Sequence, residues 1–337
     1  MDTLVAARDL VKRFPARGRR RGDTVAAVAG VSLDIATGTT LGLVGESGCG
    51  KSTLGRLLLR LIQPDSGSLS FEGLRLEGLG SRQLRALRPK MQIVLQNPYS
   101  ALNPRLVVRQ IVAFNLAPLG LPGRERRDRV QHAIHLVGLA PEILSRYPHQ
   151  LSGGQAQRVG LARALVSEPR FIVADEIVSA LDVSVQAEIL ALLLDLRSRM
   201  KLATLFISHN LHVVRYVSDR VAVMFEGRIV EAGSMADVYE DPHHPYTRLL
   251  LASAPKAGER QASLRERERL RTQLRAELAA YRSHRTLVEV APGHLVETPG
   301  PATQGAQAVG GSGSADESNR QSHAAAPDEA AEGGARE

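Results

Sequence analysis

Apolar and polar positions alternate in short runs from Leu4 to Ile35, a pattern that predicts strands interrupted by the loop Ala16 to Asp23, ARGRRRGD, whose arginines read as a solvated surface. Thr40 to Gly45, TLGLVG, is a compact apolar run of strand length, and Lys51 to Ile62, KSTLGRLLLRLI, carries the apolar spacing of a packed helix. The stretch from about Ser66 to Leu95 predicts short strands and a helix. Leu106 to Leu139 reads as mainly helical, with a break at LGLPG, Leu119 to Gly123. Two further buried-type strands, Arg170 to Glu176 and Ala203 to His209, flank a helical pattern over Val185 to Met200, and this alternation implies a parallel α/β core. Beyond Gly233 come helix-length segments through Pro255, then Gln261 to Arg282, expected to be a long exposed helix with one docking stripe. From Pro299 to Glu337 the composition turns to Gly, Ala, Ser, Gln and Glu, too poor in apolar surface to offset ordering entropy, and disorder is expected there.

Composition narrows the class. A chain of 337 residues with 43% hydrophobic and 23% charged residues has the make-up of a globular protein with about two domains. No run of 18 apolar residues occurs and the first residues lack an apolar signal core, so neither a membrane span nor a signal peptide is expected and any membrane role must come through a partner. The formal charge of +8 favours anionic partners such as phosphates, nucleic acid or acidic headgroups. The basic residues include only five lysines, which singles out Lys51 in its glycine-rich setting. The lone cysteine, Cys49, excludes an intrachain disulfide and any multi-cysteine zinc or iron–sulfur site, and suits a reducing cytosol.

Three motifs carry chemistry. GESGCGKST, Gly45 to Thr53, fits G-x-x-x-x-G-K-[ST] between a strand and a helix: backbone N–H groups can turn inward around phosphates, Lys51 can neutralise β and γ charges, and Ser52 can ligate magnesium. RFIVADE places Asp175 and Glu176 at the end of an apolar strand, where Asp175 can hold magnesium through water and Glu176 can polarise an attacking water. LSGGQ, Leu151 to Gln155, precedes a helical stretch, so Ser152 and the N–H groups of Gly153 and Gly154 would line a helix N-terminus suited to an anion.

In this combination the chain resembles the ATP-binding subunits of ABC transporters from Leu4 to roughly Pro255. The resemblance implies an α/β P-loop NTPase fold of ABC type: a nucleotide-binding domain over 1–255 with an antiparallel β subdomain and a helical subdomain at about 97–165, then a small C-terminal extension over 256–298. It implies ATP and Mg2+ as cofactors, bound by Gly45, Glu46, Ser47, Gly48, Cys49, Gly50, Lys51, Ser52 and Thr53, with Phe14 matching the aromatic that stacks on adenine. Gln96 in VLQNP matches the Q-loop glutamine, with a catalytic and a metal role; Ser179 to Asp182, SALD, matches the D-loop; His209 matches the switch histidine that contacts the γ-phosphate. Two cassettes of this family close head to tail, so Ser152, Gly153, Gly154, Gln155 and Asp182 are expected to complete the site on a partner.

GLVGESGCGKST, LQNPYSALNPR, VSALDVSVQ and DPHHPYTRLLLASAP look like the oligopeptide/dipeptide uptake branch, with HPYT the narrowest pointer, and LVEVAPGHLVE, Leu287 to Glu297, is similar to the ending of such subunits. Ile177 stands where that branch usually has proline or alanine, Ala156 replaces a long polar residue, and the cysteine cluster of some members is missing. The resemblance implies an ATPase driving a membrane importer from the cytoplasmic face. Its partners would be a second ABC ATPase subunit, a different chain or a second copy, two transmembrane permease subunits and, indirectly, an extracytoplasmic solute-binding protein, with no nucleic acid. Asn97 to Arg105, with Tyr99 and Leu102, is the expected docking segment for the membrane partner. A soluble ABC-type ATPase acting on nucleic acid or the ribosome is the alternative; a single cassette without coiled-coil insertion or zinc cysteines opposes it.

Overall fold

The computed structural model describes residues 2–16, 23–253, 261–279, 281 and 285–299. The expectations for the arginine cluster at 17–22, for the stretch around Pro255 and for a disordered tail fall outside the described residues, except that Pro299, placed in that tail, ends a strand. Two sheets organise the described residues. The smaller is antiparallel and contains β1 (Thr3–Pro15), β2 (Thr24–Ala36), β4 (Ser66–Phe71) and β5 (Leu74–Arg75), in the order β2-β1-β4-β5. The larger has eight strands: β3 (Thr40–Val44), β6 (Met91–Val94), β7 (Phe171–Asp175), β8 (Ala203–Ser208), β9 (Arg220–Phe225), β10 (Arg228–Ser234), β11 (Arg285–Ala291) and β12 (His294–Pro299). Its order is β11-β12-β10-β9-β3-β8-β7-β6.

Strands β9, β3, β8, β7 and β6 run parallel. Strands β3, β7 and β8 are buried along their whole length, which explains why they read as continuous apolar runs and not as alternating ones. The helices are α1 (Lys51–Leu58), α2 (Ser81–Leu87), α3 (Pro98–Ala101), α4 (Val108–Ala113), α5 (Gly123–Leu136), α6 (Gly153–Leu165), α7 (Val183–Met200), α8 (Leu211–Val217), α9 (Met235–Glu240), α10 (Pro245–Ser253) and α11 (Gln261–Ala279). The first helix is shorter than its apolar pattern, which runs to Ile62: beyond its C-cap at Leu59 the chain takes a left-handed turn at Arg60, φ 54°. Helices α3 to α6 form the expected insertion between β6 and β7, and Pro122 at the N-cap of α5 accounts for the break at LGLPG.

Two apolar cores follow from these layers. One packs the face of β3, β7 and β8 lined by Leu43, Val173, Leu205 and Ile207 against α1 and the antiparallel sheet, through Leu54, Leu57, Leu58, Leu10 and Phe71. The other joins the insertion to the opposite face, through Val112, Ile134, Leu161, Ile172 and Phe206. The two departures noted in the sequence both sit in this second core: Ile177 is 1% exposed and Ala156 is fully buried, so neither side chain faces solvent.

The segment Leu287 to Glu297 forms the β11–β12 hairpin, turned at Gly293 with φ 75°. Through the pairs Glu231↔Val296 and Ala232↔Leu295 it continues the main sheet outward from β10. Helix α11 lies on α10, with Leu274 buried and an Arg248–Glu277 ion pair at 3.0 Å, in keeping with one docking stripe.

Candidate functional site

Parallel strands deliver their C-terminal ends to one edge of the sheet, and adjacent strands therefore gather chemistry that is far apart in sequence. Val44 pairs with Ser208, Ile207 with Asp175, and Ala174 with Val94, so the loops after β3, β8, β7 and β6 leave side by side. These loops carry Gly45 to Gly50, His209, Glu176 and Gln96, in that spatial order.

The glycine loop is held by close backbone approach. A Cβ on Gly45 would lie 2.1 Å from the Met224 carbonyl, and one on Gly50, at φ 111°, 2.0 Å from the Ala27 carbonyl, so only glycine fits either position. The Cys49 carbonyl accepts from Gly227 N–H at 3.0 Å, pinning the far side of the loop to the β9–β10 turn. Burial raises the Cys49 thiol above its ordinary pKa, so this cysteine is a packing residue with little thiolate character. Glu46, Ser47 and Gly48 are exposed, and Thr53 is half-buried at the start of α1.

Lys51 is 4% exposed and donates to the Gly45 carbonyl at 2.7 Å and the Glu46 carbonyl at 2.8 Å, with Glu176 Oε1 3.8 Å away. Its charge is thus fixed inside the loop. Ser52 Oγ donates to Asp175 Oδ1 at 2.9 Å. Burial pushes the Asp175 carboxyl above the usual range, and the Ser52 hydrogen bond only partly opposes this. A hydroxyl and a desolvated carboxylate in contact form a hard-oxygen pair suited to Mg2+, which favours one or two protein oxygens together with phosphate.

Glu176 is the junction of the site. It adopts a left-handed backbone at φ 50°, held by its N–H to the Ile207 carbonyl at 3.0 Å and by Ser179, whose N–H and Oγ both donate to its carbonyl, at 3.1 and 2.9 Å. A bulky residue in that region marks strain that the surroundings impose. Gln96 Nε2 donates to Glu176 Oε2 at 3.0 Å and to Ser179 Oγ at 3.3 Å, and His209 Nδ1 lies 3.5 Å from the same carboxylate oxygen. Gln96 therefore sits against Glu176 and Ser179, with no hydrogen bond to Ser52 or Asp175 among the described residues.

The remaining candidates lie apart from this junction. Ser152 caps α6: its Oγ accepts from Gln155 N–H at 3.3 Å, while Gln155 Oε1 accepts from Ser152 N–H at 3.1 Å. Gly154 faces Val185, leaving no room for a Cβ. Among the described residues no hydrogen bond or ion pair joins Phe14, Ser152, Gly153, Gly154, Gln155 or Asp182 to Lys51, Ser52, Glu176 or His209. Phe14 is half-exposed on β1 opposite Val25, with Lys12 Nζ 5.7 Å from its ring, and Asp182 is exposed at the N-cap of α7. In the segment expected to dock, Asn97 to Arg105, Leu102 is only 2% exposed and belongs to the core, so it supports this segment from beneath and cannot itself be a contact surface.

Tyr246, in the HPYT segment, joins the site without having been expected there: its Oη accepts from Glu46 N–H at 2.8 Å. The segment stood out in the sequence as a marker, but nothing in the local pattern signals a bond spanning 200 residues.

The strand, glycine loop, helix and carboxylates define a P-loop ATPase. A match to the ABC transporter family covers residues 28–179, and a match to the oligopeptide/dipeptide transporter C-terminal region covers residues 230–280. The oligopeptide transport ATP-binding protein AppF of Bacillus subtilis is 45% identical over 280 residues, 81% of this chain and 84% of that protein. The di/tripeptide transport ATP-binding protein DppF of Pseudomonas aeruginosa is 48% identical over 258 residues, 76% of this chain and 80% of that one. Among solved structures, the ATP-binding cassette MJ0796, a dimer in a post-hydrolysis state bound to ADP and Pi, is similar with a TM-score of 0.62 and 27% identity. It spans 69% of this chain and 99% of that one. The chain belongs to the ABC transporter family and is one of its ATPases.

Proposed function

We propose that this ATPase powers uptake of di- or oligopeptides, or a related solute, as one of two cassettes on a pair of transmembrane subunits at the cytoplasmic face of the cell membrane. The observation that carries the substrate class is the match of residues 230–280 to the oligopeptide/dipeptide transporter C-terminal region, supported by relatives named for oligopeptide and di/tripeptide transport. Among the described residues no helix is long and apolar enough to cross a membrane, which fits a subunit that works through permease partners. A solute-binding protein would meet the permeases on the other side.

In this reading Lys51 neutralises the terminal phosphates of ATP, its ammonium already fixed by the Gly45 and Glu46 carbonyls. Ser52 and Asp175 would hold Mg2+, which supplies charge neutralisation for the phosphates when bound. Glu176 orients and polarises the attacking water, with Gln96 and His209 on its Oε2 edge limiting which way the carboxylate faces. Ser152 to Gln155 and Asp182 serve a partner cassette: Ser152 and Asp182 are exposed, and none of these residues is bonded to this chain's own junction among the described residues, which supports a site shared between two chains.

The test is capture of a tagged Glu176→Gln chain from its own membranes with ATP and Mg2+, followed by mass spectrometry. Recovery of two polytopic membrane proteins and a second cassette is expected. Recovery of ribosomes or nucleic acid without membrane protein would overturn the importer reading in favour of a soluble ATPase.

A further inference from the structure

The contact between Tyr246 and the glycine loop sits at the end of a chain of buried polar groups. Glu231 on β10 is completely buried; its Oε1 accepts from His243 N–H at 2.9 Å and its Oε2 from His244 N–H at 3.1 Å. His294 of β12, also buried, places Nε2 2.9 Å from Glu231 Oε1. His244 Nδ1 in turn accepts from Tyr246 N–H at 3.1 Å, at the start of α10. The Tyr246 ring is 1% exposed and packs on Phe225 with centroids 4.3 Å apart. Strand β12, strand β10 and helix α10 therefore fix one phenolic oxygen, and that oxygen takes the N–H of Glu46.

The peptide units of Gly45 and Glu46 are then held on two sides. Their carbonyls receive Lys51 Nζ, and the Glu46 N–H is taken by Tyr246. Burial pushes the Tyr246 phenol well above its ordinary pKa, so the group stays neutral and its oxygen remains an acceptor at any working pH. Without the hydroxyl, a partly buried N–H would lose its acceptor, and the segment that aims Lys51 would be free to rotate away from the phosphate-binding conformation.

We propose that Tyr246 is a positioning residue of the nucleotide site: through Glu46 it presets the glycine loop and Lys51, and so links the C-terminal region of the chain to ATP affinity. This rests on the ATP-binding reading of the loop. Affinity more than chemistry is the quantity it governs: Gln96 and His209 sit at Glu176 Oε2 without contact to Tyr246, and Lys51, 3.8 Å from Oε1, is the link between the loop and that carboxylate.

The experiment uses the full chain and Tyr246→Phe, which keeps the ring. Calorimetric titration of wild type with ATP and Mg2+ comes first, and absence of binding there would remove the nucleotide reading itself. Given wild-type binding, Tyr246→Phe is expected to weaken ATP binding about three- to tenfold, the loss of one hydrogen bond. In the complex purified from its own membranes, KM for ATP should rise by a similar factor while kcat stays within about twofold. The amide of Glu46 should exchange with deuterium at least about tenfold faster in the variant, with Gly42 and Leu43 unchanged. Equal affinity and equal Glu46 exchange would overturn the proposal. If the variant does not fold, wild-type exchange still decides: a protected Glu46 amide is required, and an unprotected one refutes the contact.

Discussion

Asp175 shows how the site trades stability for chemistry at the level of a single residue. Burial raises its pKa, so the folded state resists ionisation, and stability falls as pH rises above the ordinary carboxylate value near 3.8. At neutral pH the ionised form is therefore a cost that the fold carries, in keeping with the metal-binding role proposed for it. Asp175→Asn should raise the nucleotide-free Tm by a few degrees at pH 7, with no gain at pH 3.5, while abolishing Mg2+-dependent hydrolysis; a lower Tm at pH 7 would contradict this. The glycines separate by the same close reading. Gly45→Ala and Gly50→Ala drive a Cβ into a carbonyl and should each destabilise by about 1–3 kcal/mol or more in denaturant titration. Gly48→Ala meets open space and carries only the strain of φ 86°, about 1 kcal/mol.

Strands and helices turn these residues into a site, and here the sequence was legible to different depths. The parallel core could be read because β3, β7 and β8 are buried on both faces, and the P-loop because its spacing is local. The Leu287 to Glu297 segment was legible only through its similarity to the ending of such subunits: its pairing with β10 joins residues some 65 positions apart, and the buried contact behind it pairs His294 with Glu231, a residue type that ordinarily signals surface. The segment Asn97 to Arg105 shows the same limit, since its apolar residues do not reveal which face is buried. Leu102 lies in the core, whereas Tyr99 is exposed along its ring yet donates its hydroxyl to the Leu151 carbonyl at 2.9 Å, directly before the cap of α6. This contact ties the segment after Gln96 to the LSGGQ helix. Tyr99→Phe is expected to leave basal hydrolysis and Tm nearly unchanged and to reduce transport-stimulated hydrolysis several-fold in reconstituted vesicles; full stimulation would show that the bond carries no coupling.

Across the whole molecule the candidate residues divide into two sets. Lys51, Ser52, Gln96, Asp175, Glu176 and His209 meet at one sheet edge, while Ser152 to Gln155 and Asp182 lie at helix starts outside that junction. The motifs identified both sets, but only the geometry separates them. Tyr246 adds a third participant from the C-terminal region. Glu176 is the centre of the proposed chemistry, because Lys51, Gln96 and His209 all converge on its carboxylate. The most direct measurement is ATP hydrolysis and ATP binding by the membrane-purified complex carrying Glu176→Gln. Binding within about twofold of wild type, with turnover reduced by about a hundredfold or more, is the expected result. Unchanged turnover would remove Glu176 from the mechanism and contradict its proposed role as the residue that orients the attacking water.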